Sequence, residues 1–152
     1  MESGKRSLSH RKILPMKLFI DTNIVLDLLQ YRMPWIHDTL VLFQLAKDKR
    51  IELIVSDLTF VNVAYIAGKN VDKKKMNETL IGLKKLLTIV PIGDACIEQA
   101  LYGDYADFED AVQCFAAKRE QVDYIISRDE KGFKMSEIPV MSVTEFLDGF
   151  VL

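Results

Sequence analysis

Three short apolar runs, each closed by an acid or a hydroxyl, constrain this chain more than any other feature. Lys17-Leu-Phe-Ile20 stops at Asp21-Thr22-Asn23, Ile51-Glu-Leu-Ile-Val55 at Ser56-Asp57, and Val122-Asp-Tyr-Ile-Ile126 at Ser127-Arg128-Asp129. None alternates strictly between apolar and polar residues, so none suits a sheet with one wet face. Nearly continuous apolar strands belong to parallel sheets covered on both sides. Helical patterns separate the runs, as the crossover connections of such a sheet demand.

The spacing predicts helices over 24–30, 35–48, 59–67, 72–86, 94–102 and 108–119, with a helical turn at 144–149. In the second helix Ile36, Leu40, Phe43 and Ala46 recur on one face. Gly68 is a natural helix stop. Thr88–Val90 adds a short strand before Pro91, and Val140-Met141 adds a last one. The fold class expected is α/β, a three-layer α/β/α sandwich around a central, mainly parallel sheet. A chain of 152 residues suits one such domain. The expected boundaries are a flexible, basic N-terminal tail over 1–15 and the domain over 16–152.

Composition closes off other functions. Lys5, Arg6, Arg11 and Lys12 against Glu2 give the first fifteen residues +3, which leaves −5 for the rest. Phosphate neutralisation drives most nucleic-acid affinity, so a chain this acidic needs a bound cation or a local patch to meet nucleic acid. The Lys73-Lys74-Lys75 run reads first as a solvated face. The seven glycines stand too far apart to cradle a phosphate. Of the two histidines His10 lies in the tail, and His37 lies on an amphipathic helix. Cys96 and Cys114 cannot supply a disulfide framework or a four-ligand zinc site. No apolar stretch approaches the ~20 residues of a membrane span. The reading is a cytoplasmic protein with reduced thiols and no membrane partner.

Ligands of open parallel sheets bind beyond the carboxyl ends of the strands, and acids collect there. Asp21 follows the first strand, Asp129 lies three residues past Ile126, and Asp107 and Asp110 open the helix at 108–119. Residues three apart on a helix share a face, so that pair can point one way. Several carboxylates at one mouth repel unless cations hold them, and hard divalent metals such as Mg²⁺ favour such oxygen ligands. The competing reading is helix capping by Asp21 and Asp107, worth ~1 kcal/mol each, with Asp110 favouring the helix dipole. Both roles can coexist at one helix start.

Ile20-Asp21-Thr22-Asn23-Ile24, Asp107-Phe-Glu-Asp110-Ala-Val-Gln113 and Ile126-Ser-Arg-Asp129 with Gly132-Phe133 resemble the PIN domain, in the expected order over residues 16–149. The resemblance implies an α/β/α sandwich whose acids bind Mg²⁺ or Mn²⁺ and hydrolyse RNA phosphodiester bonds. Many bacterial members are toxins of toxin–antitoxin pairs. Asp21, Asp110 and Asp129 match catalytic, metal-binding acids, Asp107 stands in support, and Thr22 and Ser127 match small hydroxyl positions. The second acid of the family, usually Glu, is replaced here by Asn62, and Gly132 replaces an acid often found before that phenylalanine. Implied partners are single-stranded RNA, an antitoxin protein and a second copy of the chain. The alternative is a non-catalytic or attenuated module that binds RNA or a protein. Dehalogenase-type phosphatases need a second Asp where Asn23 stands, and receiver domains need an acidic neighbour that Asp21 lacks.

Overall fold

The computed structural model describes residues 14–150, so the expected tail lies almost wholly outside the described residues. Its elements run β1 (Met16–Ile20), α1 (Thr22–Leu29), α2 (Ile36–Lys47), β2 (Ile51–Ser56), α3 (Asp57–Ala67), α4 (Lys73–Lys84), β3 (Leu87–Val90), α5 (Gly93–Tyr102), α6 (Phe108–Arg119), β4 (Tyr124–Ile126), β5 (Val140–Met141) and α7 (Val143–Gly149). The five strands form one sheet in the order β3-β2-β1-β4-β5, and every pairing is parallel.

Alternate residues of each strand feed two cores, as the period of two requires. Leu18, Ile20, Leu53, Val55 and Ile126 face one layer, with Ile24 of α1, Leu42 of α2, Val63 of α3, Leu83 of α4 and Phe146 of α7. Phe19, Ile54 and Ile125 face the other, against Cys96 of α5 and Ala111, Cys114 and Ala117 of α6. This is the α/β/α sandwich expected from the apolar runs. Ala111, Ala116 and Ala117 are among the buried residues that α6 turns to this core.

Two details depart from the sequence reading. In α2 the buried face is Ile36, Thr39, Leu42, Phe43 and Leu45, and Leu40 lies 42% exposed. Ile36, Phe43 and Ala46 of the expected stripe do face inward, and only Leu40 departs from it; Thr39 is buried beside them, its hydroxyl satisfied by donating to the Trp35 carbonyl at 2.9 Å. The run at 122–126 enters the sheet as a strand only from Tyr124. Val122 instead ends the helix connection, its N–H donating to the Ala117 carbonyl at 3.4 Å. Cys114 is buried in the core and His37 is exposed. Among the described residues no helix is long and apolar enough to cross a membrane.

Candidate active site

The strand order runs outward from β1 in both directions, so the crevice beside β1 is the topological switch point, where ligands of open α/β sheets bind. Ile20 of β1 stands opposite Ile126 of β4, and the next residues, Asp21 and Ser127, therefore leave the sheet side by side. The Asp21 N–H donates to the Ile126 carbonyl at 3.0 Å.

Asp21 is the N-cap of α1, with Oδ1 accepting the Thr22 N–H at 2.8 Å. Its other oxygen, Oδ2, accepts the hydroxyl of fully buried Ser127 at 2.8 Å. Both oxygens are thus oriented by this chain's own donors. Burial raises the Asp21 carboxyl above the usual range; the bonds to Ser127 and Thr22 oppose that, and nearby Asp129 adds to it.

Ser127 also turns the chain behind it. Its Oγ accepts the Asp129 N–H at 2.9 Å, and Asp129 Oδ1 accepts the Gly132 N–H at 2.9 Å. Asp110 arrives from the opposite layer in the first turn of α6, where Asp107 is the N-cap and accepts the Asp110 N–H at 2.9 Å. Asp107 thus stands just outside the helix rather than on a shared face, and the capping role weighed for it is the one its carboxylate performs. It remains close enough to matter electrostatically. The Asp110 carboxyl is raised to about 6, first by burial and then by Asp107, Asp129, Asp21 and Glu109.

Gly132 explains how two acids from distant parts of the chain approach. A Cβ built on it would lie 2.5 Å from Asp110 Oδ2 and 2.5 Å from Asp129 Oδ2, so those oxygens stand within about 5 Å of each other. Any side chain here would occupy that gap. Asp110 and Asp129 therefore converge, and Asp21 lies within their field. Among the described residues, however, no three His, Cys, Asp or Glu side chains are gathered closely enough to hold a metal ion.

A polar bridge lies below the acids. The Thr22 and Thr59 hydroxyls lie 3.1 Å apart, and Gln113 Nε2 donates to Thr59 Oγ1 at 3.0 Å. It ties the starts of α1 and α3 to the first turns of α6. Thr59 and Gln113 are both buried, and Gln113 Oε1 has no partner among the described residues. Half-buried Asn62 stands one turn along α3 from Thr59. Sequence reasoning missed Thr59 and the role of Gln113. The available signal was a polar side chain one turn past Asp110 on a helix otherwise lined with small core residues.

The donor set suits a hard divalent cation. It is all oxygen, the Asp110 and Asp21 carboxyls are raised by burial with neighbouring acids adding to it, and Gly132 leaves space between Asp110 and Asp129.

Comparison with known proteins follows the same lines. A family model described as "PIN domain" matches residues 17–131. The chain is 29% identical over 137 residues to Ribonuclease VapC1 of Aquifex aeolicus (strain VF5), covering 87% of this chain and 94% of that protein. Among solved structures it is similar to VapBC2 from Rickettsia felis bound to a DNA fragment from their promoter, with TM-score 0.61, 18% identity, and 84% and 98% of the two chains covered. It is also similar to a toxin-antitoxin complex from Klebsiella pneumoniae, with TM-score 0.60, 22% identity, and 83% and 97% covered.

Proposed function

The chain belongs to the PIN domain family, and from that premise we propose that it is a Mg²⁺- or Mn²⁺-dependent endoribonuclease, the toxin of a toxin–antitoxin pair. The convergence of Asp110 and Asp129 over Gly132, beside Asp21 at the switch point, carries this reading. The similarity to Ribonuclease VapC1 supports the reaction class, and that to the toxin-antitoxin complex supports a protein partner. An open apolar groove of about 710 Å³, lined by Leu58, Val61, Ile92, Ile97, Phe108 and Val112, adjoins Glu109 at the same helix start and offers such a partner a surface.

In this reading Asp21, Asp110 and Asp129 hold the cation, and Asp107 adds negative charge. A divalent ion bound there supplies activation of water and neutralisation of phosphodiester charge. The remaining roles belong to the chain. Thr22 N–H and Ser127 Oγ fix the Asp21 carboxylate, so it pays little ordering entropy on engaging a ligand. Asp110, raised to about 6, takes up a proton as pH falls through about 6 when the cation is absent. Asn62 contributes a carbonyl acceptor but no charge.

The test is cleavage of single-stranded RNA with Mg²⁺ or Mn²⁺, beside an Asp21→Asn control. Cation-dependent cleavage lost in the control is expected. Asn62 in place of an acid favours the second reading, a module that binds RNA or a protein without cutting. Equal, cation-independent behaviour of the two proteins would establish that reading instead.

A further inference from the structure

Asp27 is a carboxylate that neither capping nor the proposed chemistry uses. It is fully buried, on the inner face of α1 beside Ile24, Val25 and Leu26. It also sits in the last turn of α1, the helix end that disfavours an anion. Its Oδ2 accepts a hydrogen bond from Arg128 Nη1, while Oδ1 has no hydrogen-bond partner among the described residues and lies 3.8 Å from Arg32 Nη1. The Arg128 guanidinium in turn covers the Trp35 ring, with its Cζ 3.8 Å from the ring centroid.

A buried ion pair adds little net stability against apolar residues of the same volume, because desolvation offsets the attraction. One with a bare oxygen at the wrong helix end adds less still. What it does provide is direction. Arg128 is the middle of three consecutive residues, each committed to a different partner: Ser127 to Asp21, Arg128 to Asp27 and Trp35, and Asp129 to the Gly132 amide.

We propose that Asp27 and Trp35 clamp Arg128 so that the turn after β4 presents Asp129 and Ser127 to Asp21 and Asp110, which makes Arg128 a positioning residue of the site. The inference deepens the metal-dependent reading and rests on it for its consequence, although the clamp itself can be measured apart from any cation.

The test compares Arg128→Lys, Trp35→Leu and Trp35→Phe in the full chain. Lysine keeps the charge but loses the planar fork and the stacking plane. Trp35 is 43% exposed, so its variants fold even where a change at the buried pair does not. The first readout is hydrogen exchange at the Asp129 and Gly132 amides, both bonded within the turn at 2.9 Å, with α6 amides as reference. The second is calorimetric titration with Mn²⁺. In R128K and W35L, exchange at those two amides should rise about tenfold against an unchanged α6. Mn²⁺ affinity should fall about tenfold, within the range for lost supporting contacts around a metal ligand. W35F should retain both properties.

Wild-type behaviour of R128K in both readouts would overturn the clamp and leave only a charge effect. A rise in exchange shared equally by α6, with Mn²⁺ affinity intact, would overturn it in favour of general stability. A wild-type chain that takes no Mn²⁺ refutes the metal reading, and the exchange pattern then still decides whether the clamp holds the turn.

Discussion

Asp110→Asn should make the metal-free protein more stable, the reverse of what losing an active-site residue does to function. The Asp110 carboxyl is raised from 3.8 to about 6 by burial and by four neighbouring acids. Ionisation is therefore disfavoured in the fold. The sign follows from linkage: with the folded value above the unfolded one, stability falls as pH rises from about 4 to about 6, and the penalty is constant above that. Fully shielded, such a shift would amount to roughly 3 kcal/mol, but Asp110 is only half-buried and solvent screening leaves about 1–2 kcal/mol. Asparagine also forfeits the favourable placement of an acid in the first turn of α6, about 0.3–1 kcal/mol. The net expectation is about 1 kcal/mol of stabilisation above pH 6, or a Tm higher by about 2–4 °C for a chain of this size. Thermal melts in excess EDTA across the window from about pH 4 to pH 8 measure it. The gain should shrink towards the acid end, where the wild-type carboxyl is already neutral. A variant less stable than wild type at neutral pH, or a gain that ignores pH, would refute the picture of mutually strained acids.

Mg²⁺ should raise the wild-type Tm, since a ligand at a hundred times its Kd stabilises by about 2.7 kcal/mol, and both Asp110→Asn and Asp129→Asn should blunt that rise in the same melts. Asn62→Glu should tighten cation binding and speed RNA cleavage, with Mn²⁺ supporting more wild-type activity than Mg²⁺; a folded variant that does neither would mean that Asn62 is not at the second acidic position. Gly132→Ala should lower cation affinity by about tenfold by pushing Asp110 and Asp129 apart, with a modest loss of stability because its Cβ meets Asp110 Oδ2, Asp129 Oδ2 and Asp129 Cγ at 2.5, 2.5 and 3.0 Å while the Gly132 N–H holds Asp129; calorimetry against the melting temperature separates the two.

The sheet was legible because burial on both faces confines the polar residues of β1 and β2 to Lys17 and Glu52 near their starts and Ser56 at the end of β2, and the closing Asp21 and Ser56 double as helix caps. Helix α6 was legible from end to end, since Asp107 caps it, acids fill its first turn, and Lys118 and Arg119 its last. β5 falls on Val140–Met141 as expected, although a two-residue strand is too short for any period to register. Local spacing placed Asp21 and Asp129 beside strand ends and Asp110 at a helix start, but not the contacts that orient them. Ser127 reaches Asp21 across 106 positions, Arg128 reaches Asp27 across 101, and Gln113 reaches Thr59 across 54. Such contacts depend on the β1–β4 register and on the approach of α6, which no local pattern encodes. Gly132 stood out in the sequence only as a missing acid. In the fold its bare Cα lets two other acids come together.

In the proposed reading Asp21, Asp110 and Asp129 jointly hold a divalent cation. Anomalous diffraction from a crystal soaked in Mn²⁺ tests it most directly. A peak is expected within coordinating distance of the Asp110 and Asp129 carboxylates, with Asp21 directly or through water, and should be lost in Asp110→Asn crystals. Saturating Mn²⁺ that leaves this crevice empty, or binds only elsewhere on the chain, would contradict it.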